Sequence, residues 1–532
     1  MKKILKFIIL STLLYISCKK QESYDTPSAK QESLSITTSN ISSVITVSSN
    51  GFINIPVNTF GYNTRFPGLS EPWDLSKIYT PGFKSSAAGI VRYPGGTVAN
   101  YWDFSSGKLL RRKNTANASG WVDLQYIDPS NVVYDIIAAD TTKQNTVTDL
   151  KNVVDQTGCS IAFVMNMITP GEDYYEASVA NGGAGWANID RSAGSAGWYE
   201  MLDNRYTRFK GMLNRAKDFP NPIPIKYVEI GNEMYFSPGY NIQAFPTGST
   251  SAGTKWWYAT AANYIANKLK IDFPGVITAA VASCVDAPST NIRALKWNEH
   301  VVPFLNTNVD YVIMHSYVDV AAVEPFTETS FQNSIINWTD KHDVVFSNNS
   351  AGQYVFNQGW RTWVTEIRAN GAVADTWGNS LLNVYSVIYM VGKGKASMFM
   401  QANLDAVVKP DKSLKPRALA MLPLFTAAQN ANQLATLDFP GAPKLNGSTR
   451  AAVDGIVFKN ISGDNRCIIM NMTANAQTID LSSVYPVANT LTISGRKNTL
   501  NSVDDPEILT EVNYRTTGVV LQPFSVNFIR KP

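Results

Sequence analysis

From about residue 52 to 430, short apolar runs rich in β-branched and aromatic residues alternate with longer stretches of helical periodicity. Alternation of that kind predicts βαβ units and a parallel sheet. Eight runs read as strands: 53–60, 89–93, 160–165, 225–230, 276–282, 309–314, 362–365 and 396–400. Helical patterns fall between them, for example over 198–217, 258–272, 292–305 and 380–391, with a last one at 415–430. Eight strand–helix units over this length predict an α/β fold, a (β/α)8 TIM barrel with long loops. A doubly wound open sheet is the alternative, but the chain carries no Gly-rich phosphate loop of either common type. After a break at Pro440–Pro443 the pattern turns to short alternating strands at 455–460, 466–472, 477–481, 490–494 and 518–529, which predict an all-β sandwich. The expected organisation is a catalytic-size barrel over 51–432 and a C-terminal β-sandwich over 433–532.

The N-terminus has a pattern of its own. Met1-Lys2-Lys3 precedes an apolar stretch from Ile4 to Ile16, and Ser17-Cys18 follows. This reads as a secretory signal peptide over 1–17, too short and too weakly flanked to span a membrane. A small residue directly before a cysteine resembles a bacterial lipobox, which makes Cys18 the expected lipidation site. Tyr15 departs from the aliphatic residue usual three positions earlier, and an ordinary signal peptide cut nearby is the alternative. The segment 18–50 is rich in Ser, Thr, Lys and Gln. Its first part reads as a tether, and part of 33–49 as a strand for the sandwich. The expected location is exported, lipid-anchored to a bacterial outer membrane on its periplasmic or outer face.

Charge and cysteine usage exclude several classes. The formal net charge is +4, and Lys2, Lys3 and Lys6 lie in the segment expected to be removed. The remaining balance favours neither nucleic acid nor an anionic membrane surface as partner. Cys159, Cys284 and Cys467 are widely spaced within apolar runs and read as buried free thiols. His300, His315 and His342 form no zinc-ligand spacing, so no metal and no cofactor are expected. The chain reads as a monomer.

The candidate chemistry lies at strand ends, where barrel enzymes carry their working residues. The fourth strand ends Glu229-Ile230-Gly231-Asn232-Glu233 and the seventh ends Trp363-Val364-Thr365-Glu366. Each delivers a carboxylate to the barrel mouth. Retaining glycoside hydrolysis needs two carboxyl groups about 5–5.5 Å apart, one as acid/base and one as nucleophile. Either glutamate alone would more often be a surface residue; the pairing of strand ends is what raises both.

Four motifs carry a resemblance. Gly231-Asn232-Glu233-Met234 resembles the acid/base motif of clan A glycoside hydrolases, which hold their catalytic residues on strands 4 and 7. Arg92-Tyr93-Pro94-Gly95-Gly96 is similar to the Arg-x-Pro-Gly-Gly segment of the α-L-arabinofuranosidases in that clan. Trp363-Val364-Thr365-Glu366 resembles the nucleophile strand, and His315-Ser316-Tyr317 the His-x-Tyr after strand 6. Heparanase-like and β-xylosidase-like relatives share the C-terminal sandwich. The resemblance implies a retaining glycosidase acting on a poly- or oligosaccharide, with Glu233 as acid/base and Glu366 as nucleophile.

Each site residue keeps a structural alternative. An ionised nucleophile needs cationic or donor neighbours, for which Arg92, His315 and Tyr317 are candidates. Arg92 can equally be a structural ion pair, and His315 a satisfied structural histidine. Asn232 is placed for a sugar 2-hydroxyl or to cap its own turn. Glu229, four residues before Glu233, reads as a buried partner of Arg92, and Asp103 remains a weak candidate. Trp102, Trp186, Trp256 and Trp257 are candidate sugar-stacking platforms, with at least half of them expected in the core. Thr97 to Trp102 departs from the arabinofuranosidase continuation, so β-glucuronidase, β-xylosidase and algal galactanase activities stay open. So does a glycan-binding lipoprotein without catalysis, although that would expect one carboxylate to be missing.

Overall fold

The computed structural model describes residues 44–64, 79–100, 102–103, 108–109, 147–167, 193–235, 251, 253–284, 292–319, 325–346, 359–370, 375–402, 407–409, 411–488 and 490–532. Cys18, Trp186, the first part of the tether and most of the long loops at roughly 102–146, 170–195 and 236–255 lie outside these residues. Eight parallel strands close into a barrel in chain order: β1 (Phe60–Asn63), β2 (Ile90–Tyr93), β3 (Ser160–Met165), β4 (Tyr227–Ile230), β5 (Ile277–Val281), β6 (Tyr311–Asp319), β7 (Thr362–Asn370) and β8 (Ala396–Ala402). The helices between and after them are α1 (Tyr79–Ser85), α2 (Val147–Thr157), α3 (Ala196–Lys217), α4 (Trp257–Asp272), α5 (Ile292–Val301), α6 (Glu328–Phe346), α7 (Trp377–Gly392) and α8 (Pro416–Ala428).

The strands are apolar on both sides because helices cover one face and barrel packing the other. Ile161 to Met165 are all buried, as are all seven residues of β8. The helices turn one stripe inward. In α3, Ser195 caps the first turn by accepting from Trp198 N at 3.1 Å, and Trp198, Met201, Leu202, Phe209, Met212 and Leu213 are buried. Helix α7 is buried from Trp377 to Val391, since it lies between the barrel and the second layer.

That layer is a two-sheet sandwich. One sheet contains β9 (Ala431–Asp438), β10 (Val453–Asn460), β11 (Asn465–Asn471), β13 (Leu491–Lys497), β14 (Glu507–Asn513) and β16 (Ser525–Arg530). The other pairs β12 (Gln477–Asp480) with β15 (Thr517–Leu521) and with the short strand Ile45–Thr46. Alternation splits β10: Val453 and Val457 face the sandwich core, while Ile456 and Phe458 join the barrel's hydrophobic core. Ser48–Ser49 also pairs with β9.

Several boundaries differ from the sequence pattern. The run 53–60 is not the first barrel strand: Ile53–Asn54 pairs with β9, and the chain enters the barrel only at Phe60, after Asn58 adopts a φ of +58°. Strands β6 and β7 run on to Asp319 and Asn370, where inward polar residues interrupt the apolar signal. The helical pattern 292–305 breaks into α5 and a 3₁₀ turn containing Pro303. The run 518–529 is two strands, and β14 has no apolar pattern because most of its residues are exposed at a sheet edge. Cys159 and Cys467 are buried thiols, whereas Cys284, just after β5, is partly exposed.

Candidate active site

Arg92, at the C-terminal end of β2, is fully buried and forks between three barrel strands and the turn after β4. Its Nε donates to Glu229 Oε2 at 2.8 Å, and its Nη2 stands 2.7 Å from the same oxygen. Nη1 donates to Glu366 Oε1 at 2.6 Å and to Asn63 Oδ1 at 3.2 Å, and Nη2 to Asn232 Oδ1 at 2.9 Å. A planar guanidinium is the one side chain that can fix this many acceptors at once. Burial alone would lower its pKa, but Glu229 and Glu366 outweigh burial and hold it charged.

Glu233 stands on the turn that leaves β4. Gly231 takes φ +92° and has no room for a Cβ, because the Met234 side chain fills the space. Glu233 itself takes φ +43°, a left-handed conformation that costs a non-glycine residue about 1–3 kcal/mol. Asn100, in the turn after the Pro-Gly-Gly segment, donates through Nδ2 to Asn232 O at 2.9 Å. Asn232 Nδ2 is buried with no partner, so the group that Arg92 and Asn100 fix in place keeps an unused donor.

Strand β6 supplies His315 and Tyr317. His315 Nδ1 lies 2.9 Å from Glu233 Oε1 and 3.9 Å from Glu366 Oε1, and its Nε2 lies 3.2 Å from Thr365 Oγ1. Thr365 in turn donates to Glu229 Oε2 at 3.4 Å. Along that network Nε2 meets the Thr365 hydroxyl, and Nδ1 is the nitrogen that faces both Glu233 and Glu366. On the far side of the strand, Ser316 Oγ and His342 Nε2 are 2.7 Å apart, which pins β6 to α6. The Tyr317 hydroxyl donates to Glu366 Oε2. Burial and the facing carboxylates push the Tyr317 hydroxyl well above its ordinary range, so it stays a donor.

The two carboxylates in contact with Arg92 are driven apart. Burial pushes Glu229 up despite its contact with Arg92, and one of its oxygens has no partner. Burial also pushes Glu366 up, but His315, Arg92 and Tyr317 together outweigh it and hold Glu366 below the ordinary glutamate value. Glu366 is therefore the group kept as an anion.

Arg92, Asn232, Glu233, His315, Tyr317 and Glu366 thus share one cluster at the C-terminal end of the barrel. Glu229 lies against Arg92 within it. Trp256 is not part of it. Its ring is 2% exposed, stacked on His300 at 4.5 Å and edge-on to Trp297, so no face is left for a sugar. Trp257 packs edge-on to Trp198 in the same helical layer. Trp102 and Asp103 form a two-residue strand with Lys108–Leu109, and their side chains lie outside the described residues. Sequence reasoning missed Asn63 and Asn100. Both were legible only as polar residues at the ends of β1 and of the Pro-Gly-Gly turn.

Among the described residues, Glu233, His315 and Glu366 each offer a ligand atom within 4.8 Å of the others, enough to hold a metal ion. Arg92 competes for that position, since its guanidinium already occupies one Glu366 oxygen. The donor set suits a proton-transfer pair better than a cation.

No protein-family model and no curated protein matches the chain. Solved structures do. A family 51 α-L-arabinofuranosidase from Bifidobacterium longum superposes with a TM-score of 0.61 at 16% identity, over 91% of this chain and 99% of that one. An α-L-arabinofuranosidase from Thermotoga maritima, solved with arabinose, gives 0.57 at 14% over 92% and 99%. A Paenibacillus polymyxa xyloglucanase of glycoside hydrolase family 44 gives 0.53 at 9%, again over 92% and 99%. At such identities the likeness establishes the fold: a TIM barrel with an attached β-sandwich.

Proposed function

We propose that the protein is a retaining glycoside hydrolase of the arabinofuranosidase-like kind within clan A, acting on a poly- or oligosaccharide. The observation that carries this reading is the Glu233–Glu366 pair. One carboxylate oxygen of each lies within 4.8 Å of the other, a close approach that favours the short separation of a retaining pair. Their surroundings differ as the chemistry requires. Glu366 is held anionic by His315, Arg92 and Tyr317, while of those three groups Glu233 meets only His315, an asymmetry suited to one nucleophile and one acid/base.

In the first step a Glu366 oxygen attacks the anomeric carbon as the bond to the leaving oxygen breaks. Glu233 gives that oxygen its proton, leaving a glycosyl ester on Glu366 and a carboxylate on Glu233. In the second step Glu233 takes a proton from water, the water oxygen bonds to the anomeric carbon, and the ester bond breaks to restore Glu366. The unpartnered Asn232 Nδ2 is suited to a sugar hydroxyl, a contact that strengthens as positive charge develops on the ring. No metal or cofactor is part of this scheme. The N-terminal reading extends the proposal to an exported protein acylated at Cys18. Incorporated labelled palmitate that persists in Cys18→Ala would contradict that part.

The test is a panel of aryl glycosides and polysaccharides with wild type and Glu366→Ala. The expected result is an activity abolished by the substitution and rescued by azide as a glycosyl azide of inverted configuration. NMR of the first-formed wild-type sugar should show the anomer of the substrate. Activity that survives in Glu366→Ala, or an inverted wild-type product, overturns the reading.

A further inference from the structure

The strained turn bearing Glu233 is held by three side chains from elsewhere in the barrel, each on a main-chain carbonyl. Tyr258 on α4 donates to Ile230 O at 2.5 Å, and Asn100 donates to Asn232 O at 2.9 Å. Beyond Glu233, Arg293 on α5 forks onto Met234 O, with Nε and Nη2 each at 3.3 Å. The first two hold the backbone before Glu233 and the third holds it after. A left-handed non-glycine residue persists only where its surroundings over-determine it. The direction of the Glu233 side chain follows from the peptide planes on either side.

Arg293 is itself rigidly set. Its guanidinium lies 5.0 Å from the centroid of Trp297 and 5.9 Å from that of Trp256. Those indoles are fixed in turn: Trp297 Nε1 donates to Val281 O at 2.7 Å, and the Trp256 ring stacks on His300 at 4.5 Å. Burial draws the guanidinium pKa down to about 10, so the cation persists at neutral pH at a cost in solvation. An apolar side chain would pack against two indoles without that cost. A forked donor locked by aromatic faces fits the fixing of one carbonyl.

We propose that Arg293 is a positioning residue for acid–base catalysis, clamping the Met234 carbonyl so that Glu233 points at the leaving-group oxygen. The inference rests on Glu233 being the acid/base. It makes no contact with substrate necessary, and it separates Arg293 from residues that only stabilise the barrel. A loosened clamp misaims the proton donor, whereas Glu366, on a different strand, stays in place.

The experiment compares two glycosides of the sugar that the wild type cleaves fastest in the panel, one phenyl and one 2,4-dinitrophenyl. Dinitrophenolate departs without a proton; phenolate needs one. In Arg293→Lys and Arg293→Gln, kcat/KM for the phenyl glycoside should fall by at least about tenfold, as expected when general-acid help is partly lost. For the dinitrophenyl glycoside it should change by less than about threefold, because glycosylation then needs only Glu366. Turnover of the dinitrophenyl substrate should slow at the second step and recover with azide, which needs no base. Parallel loss on both substrates, or loss on neither, overturns the proposal. Glu233→Ala in the same assay separates the two readings. If it fails to show the split, the acid/base assignment falls; if it shows the split and the Arg293 variants do not, only the clamp falls. Arg293→Lys keeps the charge should Arg293→Gln fail to fold.

Discussion

Arg92 Nη1 stands 2.6 Å from Glu366 Oε1, in a contact from which water is excluded on the arginine side entirely. The same guanidinium holds Glu229, so one cation serves two buried carboxylates. Removing it in Arg92→Ala leaves both uncompensated and should cost roughly 3–5 kcal/mol of stability, the scale of a broken buried pair. Adding Glu229→Gln should recover part of that stability in chemical denaturation. It should recover no activity, because Glu366 remains without its counterion. Recovery of both together would mean that Arg92 acts only through the fold.

The lowered pKa of Glu366 fixes the sign of the acid limb. A carboxylate whose folded value lies below its unfolded value contributes stability that is complete above the unfolded value and lost as pH falls through the folded one. The anion that the proposed attack requires is lost in the same window. The acid limb of kcat/KM should therefore lie below about 4.3, the ordinary glutamate value. Tyr317→Phe removes one of the groups that hold the anion, so the limb should move up. A wild-type limb above about pH 5, set against that ordinary value, or an unmoved limb in Tyr317→Phe, contradicts the account.

Gly95 should prove irreplaceable for a reason of space as well as conformation. It takes φ +69°, and a Cβ there would sit 1.8 Å from Thr64 O and 2.6 Å from Asn63 Oδ1. Gly95→Ala should lower stability by roughly 2–4 kcal/mol and displace Asn63 from Arg92. Gly158 has the same φ with nothing within 4 Å, so Gly158→Ala should cost only about 1–2 kcal/mol. Equal thermal shifts in the two variants would rule out the steric part.

How far the sequence could be read depends on what each residue faces. Strand β3 beyond Ser160 and strand β5 apart from Thr278 are apolar and declared themselves. Strands β6 and β7 were cut short because His315, Tyr317, Glu366 and Arg368 break the apolar run at the mouth. The polarity that marks them as candidate site residues also hid the strand. Ile53 and Ile55 are as apolar as any barrel position, but an apolar run does not say which sheet it joins. Arg293 carried no signal, since its role depends on the Met234 carbonyl and two indoles distant in sequence. Trp256 misled for the converse reason: an aromatic ring offers the same surface to a sugar or to His300.

The sandwich supplies a pH dependence of opposite sign. Burial pushes the Asp454 carboxyl on β10 up to about 7, with Asp438 on the neighbouring strand β9 adding repulsion against the accepting bond to Gly455 N. A carboxyl raised in the folded state takes up a proton on folding. Its contribution is complete below the unfolded value near 3.9 and is lost as pH rises through about 7. Asp454→Asn keeps the shape and removes the charge, so the variant should melt higher than wild type at pH 8, by less at pH 5, and close to it only below about pH 4. The difference between the two proteins should grow across that interval. Because Asp454 is not among the residues of the catalytic cluster, kcat/KM at neutral pH and low temperature should be unaltered. A melting difference that is flat with pH would show that Asp454 does not titrate there, and one that shrinks as pH rises would reverse the sign of the linkage.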